Sequence, residues 1–236
     1  MLNTIFITGI GTDVGKTIAA AILAEALEAD YWKPVQAGYK EGTDSTFMHA
    51  VISNDKTVIH PETYKLKLAA SPHLAARDEG IKIDLDNIYR DYLSIVNSEW
   101  SIVNSEPLTI HNLQTQNSPL TTHHLIIEGA GGLMVPLNEN EFVIDLIKKI
   151  NAKVILVSRN YLGSINHSLL TAAICKQNNI QVLGWIFNDQ YMNYEDEIVQ
   201  WSGYPKIISI PFIENPDREF IYSQSILIKP EIDSLL

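Results

Sequence analysis

Short runs of apolar, often β-branched residues recur along the chain and alternate with longer stretches of helical character. Runs of this kind predict buried β-strands, and the stretches between them predict helices. Because strands and helices alternate, the pattern indicates βαβ units and an α/β fold with a doubly wound, mostly parallel sheet flanked by helices. The predicted strands are 5–8, 31–35, 125–128, 154–158, 182–188 and 207–210.

Two of the predicted helices carry clear start signals. Apolar residues fall at helical spacing from Leu85 to Val96, directly behind Asp84, a residue type that caps helices. Ser71 followed by Pro72 is typical of a cap and a first helical position.

An internal duplication stands in the middle of the chain. The word Ser-Ile-Val-Asn-Ser-Glu occurs at 94–99 and again at 101–106, and a polar stretch follows at 107–122. Two copies are too few for a repeat architecture. We therefore expect 94–122 to form an extended helix end and a surface loop.

Size and charge narrow the range of functions. The 236 residues fit one α/β domain over 1–236, and 28 acidic against 17 basic residues give a net charge of −11. This balance argues against nucleic acid or a membrane surface as a partner and favours small molecules. The single Cys175 lies among apolar residues, so we expect a core residue in a cytoplasmic protein without a leader or membrane span.

A glycine-rich loop joins the first predicted strand to the first predicted helix. Residues 9–17 read Gly-Ile-Gly-Thr-Asp-Val-Gly-Lys-Thr. In a phosphate-binding loop of this kind, Lys16 reaches the outer phosphates and Thr17 offers a hydroxyl to Mg²⁺. Ile10 stands where the common pattern has glycine, so the loop is one residue longer when counted from Gly9. The sequence therefore predicts an ATP-binding protein of P-loop NTPase type.

Charged residues at strand ends suggest a second reactant and a metal. In open α/β sheets ligands lie beyond the carboxyl ends of the strands. Lys33 ends the second predicted strand and is interpreted either as a ligand for an anion beside the phosphates or as a solvated lysine. Glu128 ends the third, and with Thr17 and Asp44 it offers the oxygen ligands that Mg²⁺ prefers. Asp44 also fits an ordinary turn or helix cap.

Two further segments have equally open interpretations. Asn188 and Asp189 end a strand and suit either an adenine edge or a plain turn. The segment 162–167 opens a helix, where backbone N–H groups and Asn166 could receive a carboxylate, or where the residues only cap the helix.

Taken together, six words of the sequence occur in the order seen in one enzyme family. They are 9–17, Lys-Pro-Val-Gln-Ala-Gly at 33–38, Ser-Pro-His at 71–73, Glu-Gly-Ala-Gly-Gly at 128–132, Leu-Gly-Ser-Ile-Asn-His at 162–167 and Gly-Trp-Ile-Phe-Asn-Asp at 184–189. From residue 4 to about 217 the chain resembles dethiobiotin synthetases. The resemblance implies a homodimeric ligase of biotin biosynthesis that uses ATP and Mg²⁺ to convert 7,8-diaminopelargonate and CO₂ into dethiobiotin, ADP and phosphate.

The resemblance also implies roles for individual residues. It makes Lys33, Lys16 and Thr12 catalytic, and Thr17, Asp44 and Glu128 ligands of Mg²⁺. The implied nucleotide contacts are Asp13, Val14, Gly15, Lys16, Thr17, Ile18, Asp44, Glu128, Gly129, Ala130, Gly131, Asn188, Asp189, Pro211, Phe212, Ile213 and, for the ribose, Asp217. The implied substrate contacts are Ala37, Gly163, Ser164 and Asn166, the last three serving the neighbouring subunit. Ala37 stands where many family members have a hydroxyl residue, so that hydrogen bond to the substrate is either absent or replaced by one from Gln36 or water.

Two rival functions remain at this point. A P-loop switch ATPase would act on a protein partner, but the extra lysine of partitioning-type ATPases is replaced here by Gly11. A ligase that amidates a cobalamin precursor often carries a glutamine-hydrolysing domain, for which this chain has neither the length nor a suitable cysteine.

Overall fold

A parallel β-sheet of seven strands forms the centre of the molecule. The structure, a computed structural model, describes residues 3–40, 42–103, 123–189 and 192–236, with side chains only to residue 97 in the second range. Within these ranges the strands are β1 (Asn3–Gly9), β2 (Asp30–Trp32), β3 (Val35–Ala37), β4 (Ile59–His60), β5 (Tyr64–Leu66), β6 (His124–Gly132), β7 (Lys153–Arg159), β8 (Val182–Asn188) and β9 (Lys206–Ile210). The order across the sheet is β4-β2-β6-β1-β7-β8-β9.

Helices cover both faces of this sheet. They are α1 (Lys16–Leu27), α2 (Asp44–Val51), α3 (Pro72–Asp78), α4 (Leu85–Val103), α5 (Val143–Ile150), α6 (Ser164–Gln177), α7 (Glu195–Ser202) and α8 (Arg218–Asp233). Ile5 and Ile7 of β1 belong to the apolar core under α1, α2 and α8, and Phe6 belongs to the core on the opposite face. This alternation follows from the two-residue period of a strand. The doubly wound α/β fold predicted from the sequence is confirmed.

One predicted strand is divided in two. The run 31–35 was expected to be continuous, but β2 ends at Trp32 and β3 begins at Val35. Pro34 between them has no N–H to donate, so a sheet ladder is interrupted there. Beyond the break, β3 pairs with β5 in a separate two-stranded parallel sheet.

A second predicted strand is longer than expected. β6 does not end at Glu128 but continues to Gly132, which pairs with Gly9 of β1. The residues 129–132 have no side chain or only a methyl group, and this lets the two strands approach closely. Glu128 therefore lies inside a strand rather than at its tip.

The helix start signals agree with the structure in most respects. Asp84 Oδ1 accepts a hydrogen bond from the N–H of Asp86, 2.8 Å away, at the start of α4. Pro72 is the first residue of α3, although the Ser71 hydroxyl contacts His73 Nδ1 rather than capping the helix. The backbone of α4 extends to Val103, and the surface loop predicted over 107–122 lies outside the described residues.

Two further findings concern Cys175 and the lengths of the helices. Cys175 is fully buried in α6, as expected for a core residue. None of the helices in the described parts of the chain has both the length and the apolar character needed to cross a bilayer.

Candidate active site

A cleft of about 980 Å³ opens at the carboxyl ends of β1, β2 and β6. Twelve of the predicted site residues line it. Those from the loop after β1 and the start of α1 are Thr12, Asp13, Gly15, Lys16, Thr17 and Ile18, and those from other elements are Lys33, Ala37, Asp44, Glu128, Ala130 and Gly131.

The glycine-rich loop folds as a phosphate-binding loop between β1 and α1. Gly15 caps α1 with a left-handed φ of 89°, a conformation that glycine adopts without steric cost. Lys16 Nζ donates to the carbonyl of Gly11 at 2.8 Å, so the lysine curls back over the loop. Asn188, from the end of β8, donates through Nδ2 to the carbonyl of Val14 at 2.6 Å and supports the loop from behind.

Four polar side chains meet beside this loop. Thr17 Oγ1 lies 2.9 Å from both Asp44 Oδ1 and Glu128 Oε1. Lys33 Nζ pairs with Asp44 Oδ2 and lies 3.1 Å from Glu128 Oε1. Lys33 is 7% exposed and Glu128 is 1% exposed, so the interpretation of Lys33 as a solvated lysine is wrong. We call these four residues the charge cluster.

The register of the strands explains how the charge cluster forms. Trp32 of β2 lies beside Ile127 of β6, so the next residues along each strand, Lys33 and Glu128, are neighbours as well. Thr43 caps α2 by accepting from the N–H of Thr46 at 3.1 Å, which leaves Asp44 as the first residue of that helix. The helix start thus directs the Asp44 carboxylate at β2 and β6.

The two cleft lysines have opposite electrostatic environments. Burial lowers the pKa of Lys16, the Glu128 carboxylate raises it and the Lys33 ammonium lowers it, and the net shift is downward. Burial also disfavours the charged form of Lys33, but the carboxylates of Glu128 and Asp44 outweigh burial and raise the pKa of Lys33 above its ordinary value. The surrounding carboxylates thus favour the protonated form of Lys33, whereas burial disfavours that of Lys16.

The oxygen atoms of the charge cluster fit a magnesium ion. Two carboxylates and one hydroxyl converge at hydrogen-bond distance, and all three are hard oxygen donors. Within the described ranges, no group of three or more His, Cys, Asp or Glu side chains could hold a metal unaided. Mg²⁺ is usually bound by one or two carboxylates together with substrate phosphates and water.

The residues predicted for the base and ribose have other contacts in the structure. Asp189 accepts from Arg159 at 3.4 Å, and the Arg159 guanidinium lies 5.9 Å from the ring centre of the exposed Phe212. Asp217 caps α8 by accepting from the N–H of Phe220 at 2.9 Å. Pro211 and Ile213 flank Phe212 directly after β9. The nucleotide-base role of these residues stays a prediction.

The residues predicted for the substrate carboxylate are not among those that line this cleft. Gly163 caps α6, and the buried Ser164 hydroxyl lies 2.6 Å from the hydroxyl of Tyr194. Among the described residues that line the cleft, neither these two nor Asn166 occurs.

Two residues predicted to contact the nucleotide, Val14 and Gly129, do not line the cleft either. Val14 is buried, and a β-carbon on Gly129 would lie 2.7 Å from the ring of Phe6.

Two further residues belong to the site, and the sequence reasoning gave neither a firm role. Tyr31 is fully buried and its hydroxyl donates to Glu128 Oε2 at 2.7 Å. Its position two residues before Lys33 on one strand was an available signal, because residues i and i+2 share a face. Gln36 lines the cleft beside Ala37. Its Nε2 donates to the Gly38 carbonyl at 2.8 Å, and its Oε1 accepts from the N–H of Asp44 at 3.4 Å.

Comparison with solved structures shows a similar fold in two ATPases. A ParA family ATPase from Chlorobium tepidum superposes with a TM-score of 0.54 at 14% identity, covering 99% of this chain and 98% of that one. The cell division ATPase MinD of Pyrococcus furiosus gives 0.53 at 12% identity, covering 100% of both chains. Likeness at this level of identity concerns the fold alone.

Sequence comparison is more specific. A family model described as an AAA domain matches residues 3–219. The ATP-dependent dethiobiotin synthetase BioD of Cytophaga hutchinsonii is 43% identical over 94% of both chains. The enzyme of the same name from Christiangramia forsetii is 42% identical over 88% of this chain and 86% of its own. The chain therefore belongs to the ATP-dependent dethiobiotin synthetase family.

Proposed function

We propose that this protein is a cytoplasmic enzyme of biotin biosynthesis that closes the ureido ring of dethiobiotin. It would join 7,8-diaminopelargonate and CO₂ at the expense of ATP and release ADP and phosphate. The observation that carries the proposal is the charge cluster, in which a buried lysine from outside the phosphate loop lies beside the loop's own Thr17. Relatives at 43% and 42% identity support the choice of reaction.

The chemistry has three steps. One amine of the substrate captures CO₂ as a carbamate and loses a proton. A carbamate oxygen then attacks the γ-phosphorus of ATP, ADP leaves, and a mixed carbamic-phosphoric anhydride results. The second amine attacks the carbamoyl carbon, phosphate leaves with the C–O bond electrons, and loss of a further proton completes the cyclic urea.

Charge compensation is the main task of the site, because two anions must approach each other in the second step. Lys16 and Lys33 come from separate elements that both line the cleft, so each can face a different reactant. Lys16 would hold the terminal phosphate and Lys33 the carbamate, with Thr12 at the carbamate end. Thr17, Asp44 and Glu128 would hold Mg²⁺, which when bound neutralises phosphate charge.

The resemblance to the family also suggests which residues bind the adenosine of ATP and the carboxylate of the substrate. Asn188, Asp189, the segment 211–213 and Asp217 would contact the adenosine. The substrate carboxylate would bind at the start of α6 in a second copy of the chain, which makes the working unit a homodimer. This arrangement is supported by one observation: Gly163 and Ser164 are not among the described residues that line the cleft.

A direct product assay tests the proposal. The protein is mixed with ATP, Mg²⁺, bicarbonate and 7,8-diaminopelargonate, and the product is identified by mass spectrometry. We expect a mass gain of one carbon and one oxygen with a loss of two hydrogens, and one ADP per product. ATP hydrolysis without this product, or with stimulation by a protein partner instead of the diamine, would overturn the proposal in favour of a switch ATPase.

A further inference from the structure

We propose that Tyr31 is a positioning residue that holds Glu128 as a one-oxygen ligand and so favours Mg²⁺ over larger cations. This inference rests on the metal-binding role proposed for Glu128. The supporting contact is the 2.7 Å hydrogen bond from the Tyr31 hydroxyl to Glu128 Oε2. Both side chains are inside the protein, with Tyr31 0% and Glu128 1% exposed.

Two donors from β2 and the residue that follows it bind the Glu128 carboxylate: a tyrosine hydroxyl and a lysine ammonium group. Tyr31 and Lys33 are two residues apart and reach β6 from the same face of the sheet. Tyr31 donates to Oε2, whereas Lys33 and Thr17 both approach Oε1. Each carboxylate oxygen therefore has its own set of contacts.

This division fixes which oxygen faces the cleft. Oε1 lies with Thr17 and Asp44, where a metal would bind, and Oε2 points into the core toward the phenol. An ordinary phenol carries its proton at neutral pH and a carboxylate oxygen only accepts, so the Tyr31 hydroxyl is the donor in this contact. Rotating the carboxylate to present both oxygens would leave a buried hydroxyl without this acceptor, which costs free energy.

Cation choice follows from the number of oxygens that each carboxylate offers. Mg²⁺ demands near-octahedral geometry with short bonds, which suits one oxygen from each carboxylate. Ca²⁺ takes more oxygens at longer distances and often binds carboxylates through both. A hydrogen bond that reserves Oε2 for Tyr31 thus disfavours the coordination that Ca²⁺ prefers.

The test replaces the hydroxyl alone. In Tyr31→Phe, the affinity for a non-hydrolysable ATP analogue is measured by calorimetry in chelator, in Mg²⁺ and in Ca²⁺. We expect a rise of about tenfold in the Mg²⁺ concentration that gives half of the maximal increase in affinity for the analogue. A change of this size is typical of losing one hydrogen bond to a charged group. The preference for Mg²⁺ over Ca²⁺ should shrink, and affinity in chelator should stay as in the unaltered protein.

The matched control is Tyr92→Phe. The Tyr92 hydroxyl lies 3.0 Å from Thr4 Oγ1, so this variant also removes a tyrosine hydrogen bond, but one outside the cleft. Its cation titrations should equal those of the unaltered protein. If Tyr31→Phe is folded by thermal unfolding and its titrations match those of Tyr92→Phe, the positioning role is wrong.

A second measurement needs no variant and keeps the inference testable if Tyr31→Phe fails to fold. Proton NMR of the unaltered protein should show a slowly exchanging phenol proton that is coupled through space to the Tyr31 ring. The signal should persist after addition of Mg²⁺ and the analogue. Its loss on metal addition would mean that both oxygens of Glu128 turn to the metal, and this would overturn the inference.

The two proposals fail separately. If the unaltered protein makes no dethiobiotin, the proposed reaction is wrong, whatever Tyr31 does. If it makes dethiobiotin while Tyr31→Phe keeps the full preference for Mg²⁺, the reaction stands and the role of Tyr31 does not.

Discussion

The side-chain amide of Asn188 fills the space beside Gly15 so closely that a β-carbon on Gly15 would lie 2.3 Å from Asn188 Nδ2. The same amide donates to Val14 O at 2.6 Å. The last residue of β8 therefore sets the shape of the phosphate loop, although the two segments are far apart in the sequence. The left-handed φ of 89° at Gly15 adds a second reason why this position requires glycine.

Gly15→Ala should accordingly damage nucleotide binding more than folding. The added methyl collides with Asn188 and forces the loop away from its shape, so we expect ATP affinity to fall by about tenfold or more, or about 1.4 kcal/mol. Gly11→Ala is the matched control, because a β-carbon there meets nothing within 4 Å. Calorimetric titration with ATP measures both variants, and equal affinities would contradict the steric argument.

Lys33→Gln should abolish ring closure and leave ATP binding nearly intact. Lys33 lies outside the phosphate loop, so the loss falls on the step in which charge builds up, and removing one such donor typically lowers kcat about 100-fold or more. The control is Lys56→Gln, since Lys56 is exposed and pairs with Glu28. Turnover is measured by dethiobiotin formation and ATP affinity by calorimetry. A parallel loss of both quantities would place Lys33 in the nucleotide site instead.

Cys175 should be inert in the folded protein. The thiol is fully buried in α6, and burial raises its pKa from 9.0 to about 12. The thiolate is the reactive form, and this shift lowers its fraction about a thousandfold near neutral pH. In denaturant, an aromatic disulfide reagent should react with this thiol at once. In native buffer, the reaction should be limited by the rate at which the protein unfolds locally around α6. Rapid labelling of the native protein would contradict this burial.

His124 should make the protein less stable in acid. Burial, with a smaller contribution from the neighbouring His123, lowers the pKa of His124 below 6.5 in the folded state. The unfolded chain then takes up the proton more readily, so the stabilisation is present above the unfolded pKa and is lost as the pH falls through the folded one.

Thermal unfolding of His124→Gln tests this sign. The melting temperature of the variant relative to the unaltered protein should rise as the pH falls from about 8 to about 5. His49→Gln serves as the control because His49 is exposed on α2. A pH-independent difference for His124→Gln would contradict the shifted titration.

The parts of the fold that were predictable have strong local patterns. Short apolar runs indicated β1, β6, β7, β8 and β9, and the stretches of helical character between them indicated helices. By contrast, β4 has only two residues and β5 three, too few for any periodicity to show. The break at Pro34 could have been anticipated from its missing N–H, but the partner strand β5 could not, because pairing depends on tertiary contacts.

The site divides along similar lines. Thr17, Asp44 and Glu128 were grouped from the sequence because together they offer the oxygen ligands that Mg²⁺ prefers, and the structure brings them within hydrogen-bond distance. Tyr31 was missed because it sits in an apolar run and its partner Glu128 is 97 residues away. From the sequence, Asn188 was interpreted either as a contact to the adenine edge or as part of a plain turn. Only the packing of β8 against the phosphate loop reveals its hydrogen bond to Val14.

The interruption at Pro34 places two parts of the cleft on different sheets. Lys33 follows the large sheet, whereas the wall around Ala37 belongs to the small sheet of β3 and β5. We expect substitutions in the small sheet to change the shape of the cleft wall around Ala37 while the Lys33 ammonium group keeps its place beside Glu128.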